Sequence, residues 1–529
     1  MEATLSGLPR TAPAPAAPRA HGRYASGPAI VAYIAVLKAA IHLATAGVYG
    51  LFIDELYFLA AGEHLSWGYV DFPPLTAFQA WLTRALFGDS MFSIRLFPAL
   101  AGAGLVLLTG AFVRALGGGR FAQGLAALAV ALAPIYLAVD SYLSMNSIEP
   151  LLWTGCALIV VWIIQTRRSK LWIAFGVVAG IGMLNKHTML LFAFALIAGL
   201  VLTRERRVLA TGWLVAGGAV AFLIFLPNLV WMIRNHFPHV ELLANIRRNQ
   251  RDIPFEPFAF IGLQLLLLNP LAAPIWVAGL ARSFFSRDAK PYRALGWAYL
   301  IALAVLLVRG RFYYLAPAYP MLFAQGAVGI ERWVGRMGWT WFKPAYAAAV
   351  LFSGALIAPT AMPILSPDAY IRYTNAVGFG QPKFENRRTA GAMPQLFADR
   401  FGWPEMAQTV ARVYNALPPQ ERAKTGIFAN DYGQGGAIDF YGPKLGLPKA
   451  IGNHLGYWSW GPRQYTGDSL IILGDNRETL EREFEQVQAV AQVGHPLSME
   501  KEHFTVFLCR GPKLWKSLQE VWPRLRKFE

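Results

Sequence analysis

The sequence predicts a polytopic helical membrane bundle followed by a small α/β domain on the outer side of the membrane. The 529-residue chain is 55% hydrophobic and 15% charged, with a mean hydropathy of +0.38. That is more apolar surface than one soluble core can bury. Apolar runs long enough to cross, or nearly cross, about 30 Å of hydrocarbon recur up to residue 362. Beyond residue 364 the composition becomes that of a soluble domain.

The elements follow in order. Residues 1–27 are Pro/Ala-rich and basic, and read as a disordered cytoplasmic tail before an uncleaved first helix. Apolar runs then fall at 28–50, 93–113, 121–139, 148–164, 171–185, 188–203, 208–233, 257–281, 294–308, 312–330 and 344–362. This makes about eleven transmembrane helices in a domain over 28–363, if 171–203 crosses twice. The connections at 114–120, 165–170, 204–207, 282–293 and 331–343 are rich in Arg and Lys and are assigned to the inner face. The outer connections then include a long first loop, 51–92, and the segment 364–529. Within that last segment amphipathic helices are expected at 404–416 and 478–490, and strands at 425–430, 469–474, 487–494 and 504–509.

The formal net charge of +17 punctuates apolar runs and forms no basic stripe interleaved with aromatics, so nucleic acid is not an expected partner. The two cysteines, Cys156 and Cys509, supply no disulfide framework or thiolate metal site. The histidines lack zinc-ligand spacing, and the GGG at 117–119 has no preceding strand and no P-loop Lys.

The outer loops concentrate the chemistry. "LFIDELYFLAAGEHLSWGYVDFPPL" carries Asp54, Glu55, Glu63 and Asp71 with almost no compensating base, and its Pro-Pro pair stops a helix. An ordinary acidic loop accounts for these residue types about as well; two adjacent acids at a helix end tilt the balance toward a site. In the next outer loop Glu149 stands beside Pro150, as a helix N-terminus also favours. Basic groups share that face: Lys186, Arg309, Arg311 and the cluster that includes Arg247 and Arg251. Each alone suits a snorkelling role, but acids and bases meeting at one interface describe a site that removes a proton and holds a phosphate. Tyr69 and Tyr313, with Trp67 and Tyr314, either stack on a sugar or anchor at the interface.

Four segments in order, "DELYF…GYVDFPPL", "NSIEPLLW", "GIGMLNKHTML" and "RFYYLAPAYPMLFA", resemble the GT-C superfamily of membrane glycosyltransferases. The resemblance is to the bacterial branch similar to protein O-mannosyltransferases and to the lipid A aminoarabinose transferase, and it covers residues 28–330. It implies a GT-C bundle in the plasma membrane that transfers a sugar, with inversion, from a polyprenyl-phosphate-linked donor to a lipid, glycan or protein acceptor at the outer face. By that resemblance Asp54 is the catalytic base, with Glu55 and Glu149 as further acids. Lys186, Arg309, Arg311 and Arg247 are then the candidates for donor phosphate, and Asp71, Tyr69 and Tyr313 for acceptor or sugar. The sequence departs at Phe72, where the mannosyltransferases carry His and the aminoarabinose branch Lys, so a phosphate contact must come from elsewhere. A divalent metal, Mg or Mn, is the one cofactor the acids suggest. The competing reading is a transporter or flippase of lipid-linked sugars, which predicts broken helices with charges at the midplane.

Overall fold

The computed structural model describes residues 25–249, 256–378 and 391–529. The first span, Gly27–Ala44, starts where Ser26 caps it, its side chain accepting from the Ala29 amide. Among the described residues six helices are long and apolar enough to cross a membrane: Gly27–Ala44, Met91–Ala115, Met145–Thr166, Gly212–Arg234, Lys290–Val308 and Phe342–Ala361. A seventh is gained if Pro257–Leu267 and Pro270–Phe285 count as one span despite a 94° bend. Among the described residues the eleven apolar runs are therefore not all full-length helices. The bend falls at Asn269, whose φ is 67° and whose side chain donates to the Val350 carbonyl at 3.0 Å. The run at 121–139 breaks at Pro134 into Arg120–Ala131 and Pro134–Val139. Leu171–Asn185 and Thr188–Val201 are each shorter than 30 Å at about 1.5 Å per residue.

Inside the bundle one ion pair stands out. Lys38 of the first span meets Asp140 at 3.0 Å, both side chains 2% exposed. An intramembrane charge is tolerated when paired, and this pair ties the first span to the turn 140–144.

The C-terminal segment carries a five-stranded mixed sheet in the order β2-β1-β3-β5-β4. Its strands are β1 (Thr425–Ala429), β2 (Ile451–Gly452), β3 (Ser469–Leu473), β4 (Phe484–Val493) and β5 (Phe504–Pro512). β1 lies parallel to β2 and β3, and β5 runs antiparallel to both β3 and β4. The helix expected at 404–416 is found at Trp403–Asn415. The one expected at 478–490 stops at Glu483, because Phe484 onward pairs with β5. Tertiary pairing overrides the local helical period there.

This segment packs on the first loop. Loop 51–92 is not irregular: it holds the helices Ile53–Glu63 and Leu75–Phe87, the second starting directly after Pro74. The helix Tyr432–Tyr441 lies against Ile53–Glu63 at backbone distance, where a Cβ on Gly436 would sit 2.7 Å from the Leu56 carbonyl carbon. A Cβ on Gly433 would collide with Ile53. The glycines of "DYGQGGAIDF" are thus explained by helix contact.

Candidate active site

The site is built from the first turn of Ile53–Glu63. The helix is anchored at its start: the Ile53 amide donates to the Asp399 carbonyl at 3.0 Å, and the Phe52 amide to Glu55 Oε2 at 2.8 Å. Two of the amides that a helix start leaves unpaired are therefore satisfied. Asp54 sits in that turn, half-buried, and Tyr432 of the C-terminal segment donates its hydroxyl to Asp54 Oδ1 at 2.8 Å.

Glu55 faces the other way. It is fully buried and takes four hydrogen bonds: Arg95 Nε at 3.1 Å, Arg95 Nη2 at 2.7 Å, the Phe52 amide, and the Leu143 amide at 2.9 Å. Burial alone would raise its pKa, but the Arg95 guanidinium and these donors hold it below the usual carboxylate range. Arg95 in turn donates to the Gly50 carbonyl at 2.7 Å. Glu55 is thus engaged behind the site, as a clamp on the loop.

Asp71 returns to Asp54 from the far end of the loop. Tyr57 donates to Asp71 Oδ1 at 3.0 Å and accepts from the Gly456 amide at 2.9 Å. The Tyr57 and Tyr432 rings lie 4.9 Å apart. Burial, reinforced by the negative charge of Asp54 and opposed by the Tyr57 hydrogen bond, pushes the Asp71 carboxyl up to about 7. Two acids with different environments therefore stand at one place.

The cationic side lies across Tyr142, which is within electrostatic reach of both Asp54 and Tyr313. Arg311 donates to the Tyr313 hydroxyl at 3.4 Å, and Lys186 Nζ lies 5.9 Å from the Tyr313 ring centre and 4.0 Å from that of Tyr314. Lys186 also donates to Asn146 Oδ1 and Glu149 Oε2, each at 2.9 Å, and Thr188 bonds the other Glu149 oxygen. Glu149 is not at the helix start: Ser144 caps the helix Met145–Thr166, and Pro150 lies inside it. Its carboxylate orients Lys186.

The structure gathers Asp54 with Asp71, and Glu149 with Lys186, Arg311 and Tyr313, the two groups both within electrostatic reach of Tyr142. Tyr69 is placed elsewhere: its hydroxyl donates to the carbonyls of Ala61 and His64 and its ring stacks on Phe72 at 4.6 Å, so it closes the loop on itself. Phe72 is 2% exposed among Tyr57, Phe58 and Tyr69, so this position is core packing. Arg247 is exposed on the helix Pro238–Arg248, which begins beside the site with His239 5.8 Å from His187. The side chain of Arg309, and Arg251 entire, lie outside the described residues.

Sequence reasoning missed Arg95, Arg400 and Tyr432. Arg95 at the head of an apolar run was the readable signal, since a charge there needs a partner. Arg400, 1% exposed, bonds Ser141 Oγ at 3.0 Å and lies over the Phe52 and Tyr142 rings. Burial, and the like charge of Arg95, lower it to about 9. Tyr432 carries no local signal. Among the described residues no group of three or more His, Cys, Asp or Glu is placed to hold a metal ion, and Asp54 and Asp71 each already accept a tyrosine hydroxyl.

Residues 71–231 match the family model described as dolichyl-phosphate-mannose-protein mannosyltransferase. The match takes in Asp71, Glu149 and Lys186 and begins after Asp54. The fold as a whole is similar to the crystal structure of ArnT from Cupriavidus metallidurans bound to undecaprenyl phosphate. The TM-score is 0.60 at 15% identity, over 90% of this chain and 97% of that one. The chain shares that overall fold. The apo state of the same ArnT matches this chain with a TM-score of 0.58 at 16% identity, over 90% and 97%. No curated protein sequence matches it.

Proposed function

We propose that this protein transfers a sugar from a polyprenyl-phosphate-linked donor to an acceptor hydroxyl at the outer face of the plasma membrane, with inversion at the anomeric carbon. The observation that carries the reading is that Tyr142 lies within electrostatic reach both of Asp54, beside Asp71, and of Tyr313, next to which stand Lys186 and Arg311. The similar ArnT structure contains undecaprenyl phosphate, which suits such a donor.

In this reading the acceptor hydroxyl docks on Asp54, which takes its proton as the oxygen attacks the anomeric carbon. The carbon–oxygen bond to the acceptor forms while the bond to the lipid phosphate breaks, and the electron pair leaves with the phosphate. One displacement inverts the carbon, by the geometry that separates inverting from retaining glycosidases. Lys186 and Arg311 stabilise the growing phosphate charge; Glu149 and Asn146 hold Lys186 in place. Tyr432 fixes the Asp54 rotamer with its hydroxyl, and Glu55 positions the whole turn through Arg95. Protonated Asp71 offers a hydrogen bond to the sugar without a second negative charge beside the donor. Arg247, on the helix at the site's margin, adds positive field for an anionic lipid approaching from the membrane.

The test is transfer of radiolabelled sugar from polyprenyl-phosphate sugars into lipid, glycan and protein fractions of membranes, comparing wild type with Asp54→Asn. A labelled product that disappears in the variant at unchanged expression supports the transferase and names the acceptor class. Equal labelling in both removes Asp54 as the base. No labelling in either, with the donor pool shown to be complete, moves the protein to lipid-linked sugar transport.

A further inference from the structure

A second feature lies at the opposite end of the bundle. The helix Met145–Thr166 begins beside Glu149 and runs 22 residues, about 33 Å at 1.5 Å per residue. The helix Thr188–Val201 likewise starts at the site and ends at the other side. Between the far ends of these two helices lies a concavity of about 1070 Å³. Arg167, Arg204, Arg206 and Arg207 line it, against a single acid, Glu205, which pairs with Arg167 at 2.7 Å.

The local chain geometry gathers this charge. Residues Arg204–Leu209 form a 3-10 helix, in which side chains three apart eclipse one another, so Arg204 and Arg207 project to one side. Arg167 ends its helix in the left-handed region at φ 56°, turning toward the same concavity. Next to the arginines the wall becomes apolar: Val201 and Leu202 line the pocket and are 53% and 58% exposed. Basic heads beside a bare aliphatic strip, one membrane thickness from the catalytic end, make an amphipathic receptor.

We propose that this pocket binds the headgroup of an anionic phospholipid from the leaflet opposite the active site, with its phosphodiester on Arg204, Arg206 and Arg207 and its first acyl carbons along Val201 and Leu202. Guanidinium forks match phosphate oxygens, and basic pockets between spans suit anionic headgroups. A zwitterionic lipid cancels the attraction within its own headgroup. Inorganic phosphate makes no use of the apolar wall.

Purified full-length protein in detergent is titrated with dioleoylphosphatidylglycerol, dioleoylphosphatidylcholine or inorganic phosphate, and followed by thermal unfolding and by native mass spectrometry. The expected result is a bound adduct and a raised Tm with the glycerol lipid only, weakened about fivefold for each arginine removed and abolished in R204Q/R206Q/R207Q. The double variant R114Q/R120Q, which removes charge from another basic connection, keeps the adduct. Should the triple variant fail to fold, R204Q and R207Q singly carry the test by graded loss. The proposal is overturned if the variants bind the glycerol lipid as wild type does, or if R114Q/R120Q loses it equally. It is also overturned if phosphatidylcholine or inorganic phosphate gives the same shift.

Discussion

Glu55 and Asp54 are neighbours in sequence, and replacing each separates a clamp from a base. Glu55→Ala removes the partner of Arg95, whose side chain is 2% exposed, and strands the amides of Phe52 and Leu143. Breaking a buried ion pair by deleting one member costs about 3–5 kcal/mol, a large share of a typical net stability of about 5–15 kcal/mol. The Asp54→Asn change removes one charge-assisted bond, from Tyr432, on a half-buried side chain. Because Asn still accepts from Tyr432, its effect on stability should stay below about 1.5–3 kcal/mol, the worth of a hydrogen bond to a charged group. Thermal unfolding in detergent, paired with the sugar-transfer assay below the variants' unfolding temperatures, therefore gives two different patterns. Glu55→Ala lowers Tm strongly and loses activity in step with folded protein; Asp54→Asn keeps a near-native Tm and loses transfer. A double-mutant cycle of Glu55→Gln with Arg95→Gln should show coupling, because the two share one network. A Glu55→Gln protein with wild-type Tm and no activity would refute the clamp and return Glu55 to the chemistry.

Further outcomes follow from the same geometry. Tyr432→Phe should lower kcat about 10-fold with little change in KM, and lower Tm modestly, since a hydrogen bond to a charged group is worth about 1.5–3 kcal/mol; steady-state kinetics and thermal unfolding check it. Lys186→Ala should weaken retention of undecaprenyl phosphate in native mass spectrometry, and Glu149→Gln, which frees the Lys186 rotamer, should weaken it less. For Asp71 the folded state keeps a proton that the unfolded chain releases, its pKa having moved from 3.8 to about 7. Folding then takes up a proton between those values, so the Asp71 contribution to stability falls as pH rises from about 4 to about 7. Asp71→Asn should flatten that slope in Tm-versus-pH scans and keep transfer from declining as pH rises through 7.

The C-terminal segment explains both what was legible and what was not. Span composition, the acid-rich first loop and most strands could be read locally, because hydrophobic run length and period two are properties of a few consecutive residues. Loop 51–92 could be marked as a site from Asp54 and Asp71, but the division of labour between Asp54 and Glu55 depends on Arg95, 40 residues away. Tyr432 lies 378 residues from Asp54, and no sequence period links positions so far apart. The failures at Tyr69 and Pro150 share a cause: aromatic and proline residues carry the same local signature whether they face a ligand or a neighbour. Only packing decides between them. The glycines of Tyr432–Tyr441 show that logic in reverse. They let one helix lie on Ile53–Glu63 closely enough for Tyr432 to reach Asp54. A bulky residue at Gly436 would push the helices apart and draw the Tyr432 hydroxyl away from Asp54. Gly436→Val should therefore lower transfer even though it touches neither donor nor acceptor, and adding Tyr432→Phe to it should cost little more. Additive losses in that pair would show that the helix contact supports activity by a route other than Tyr432.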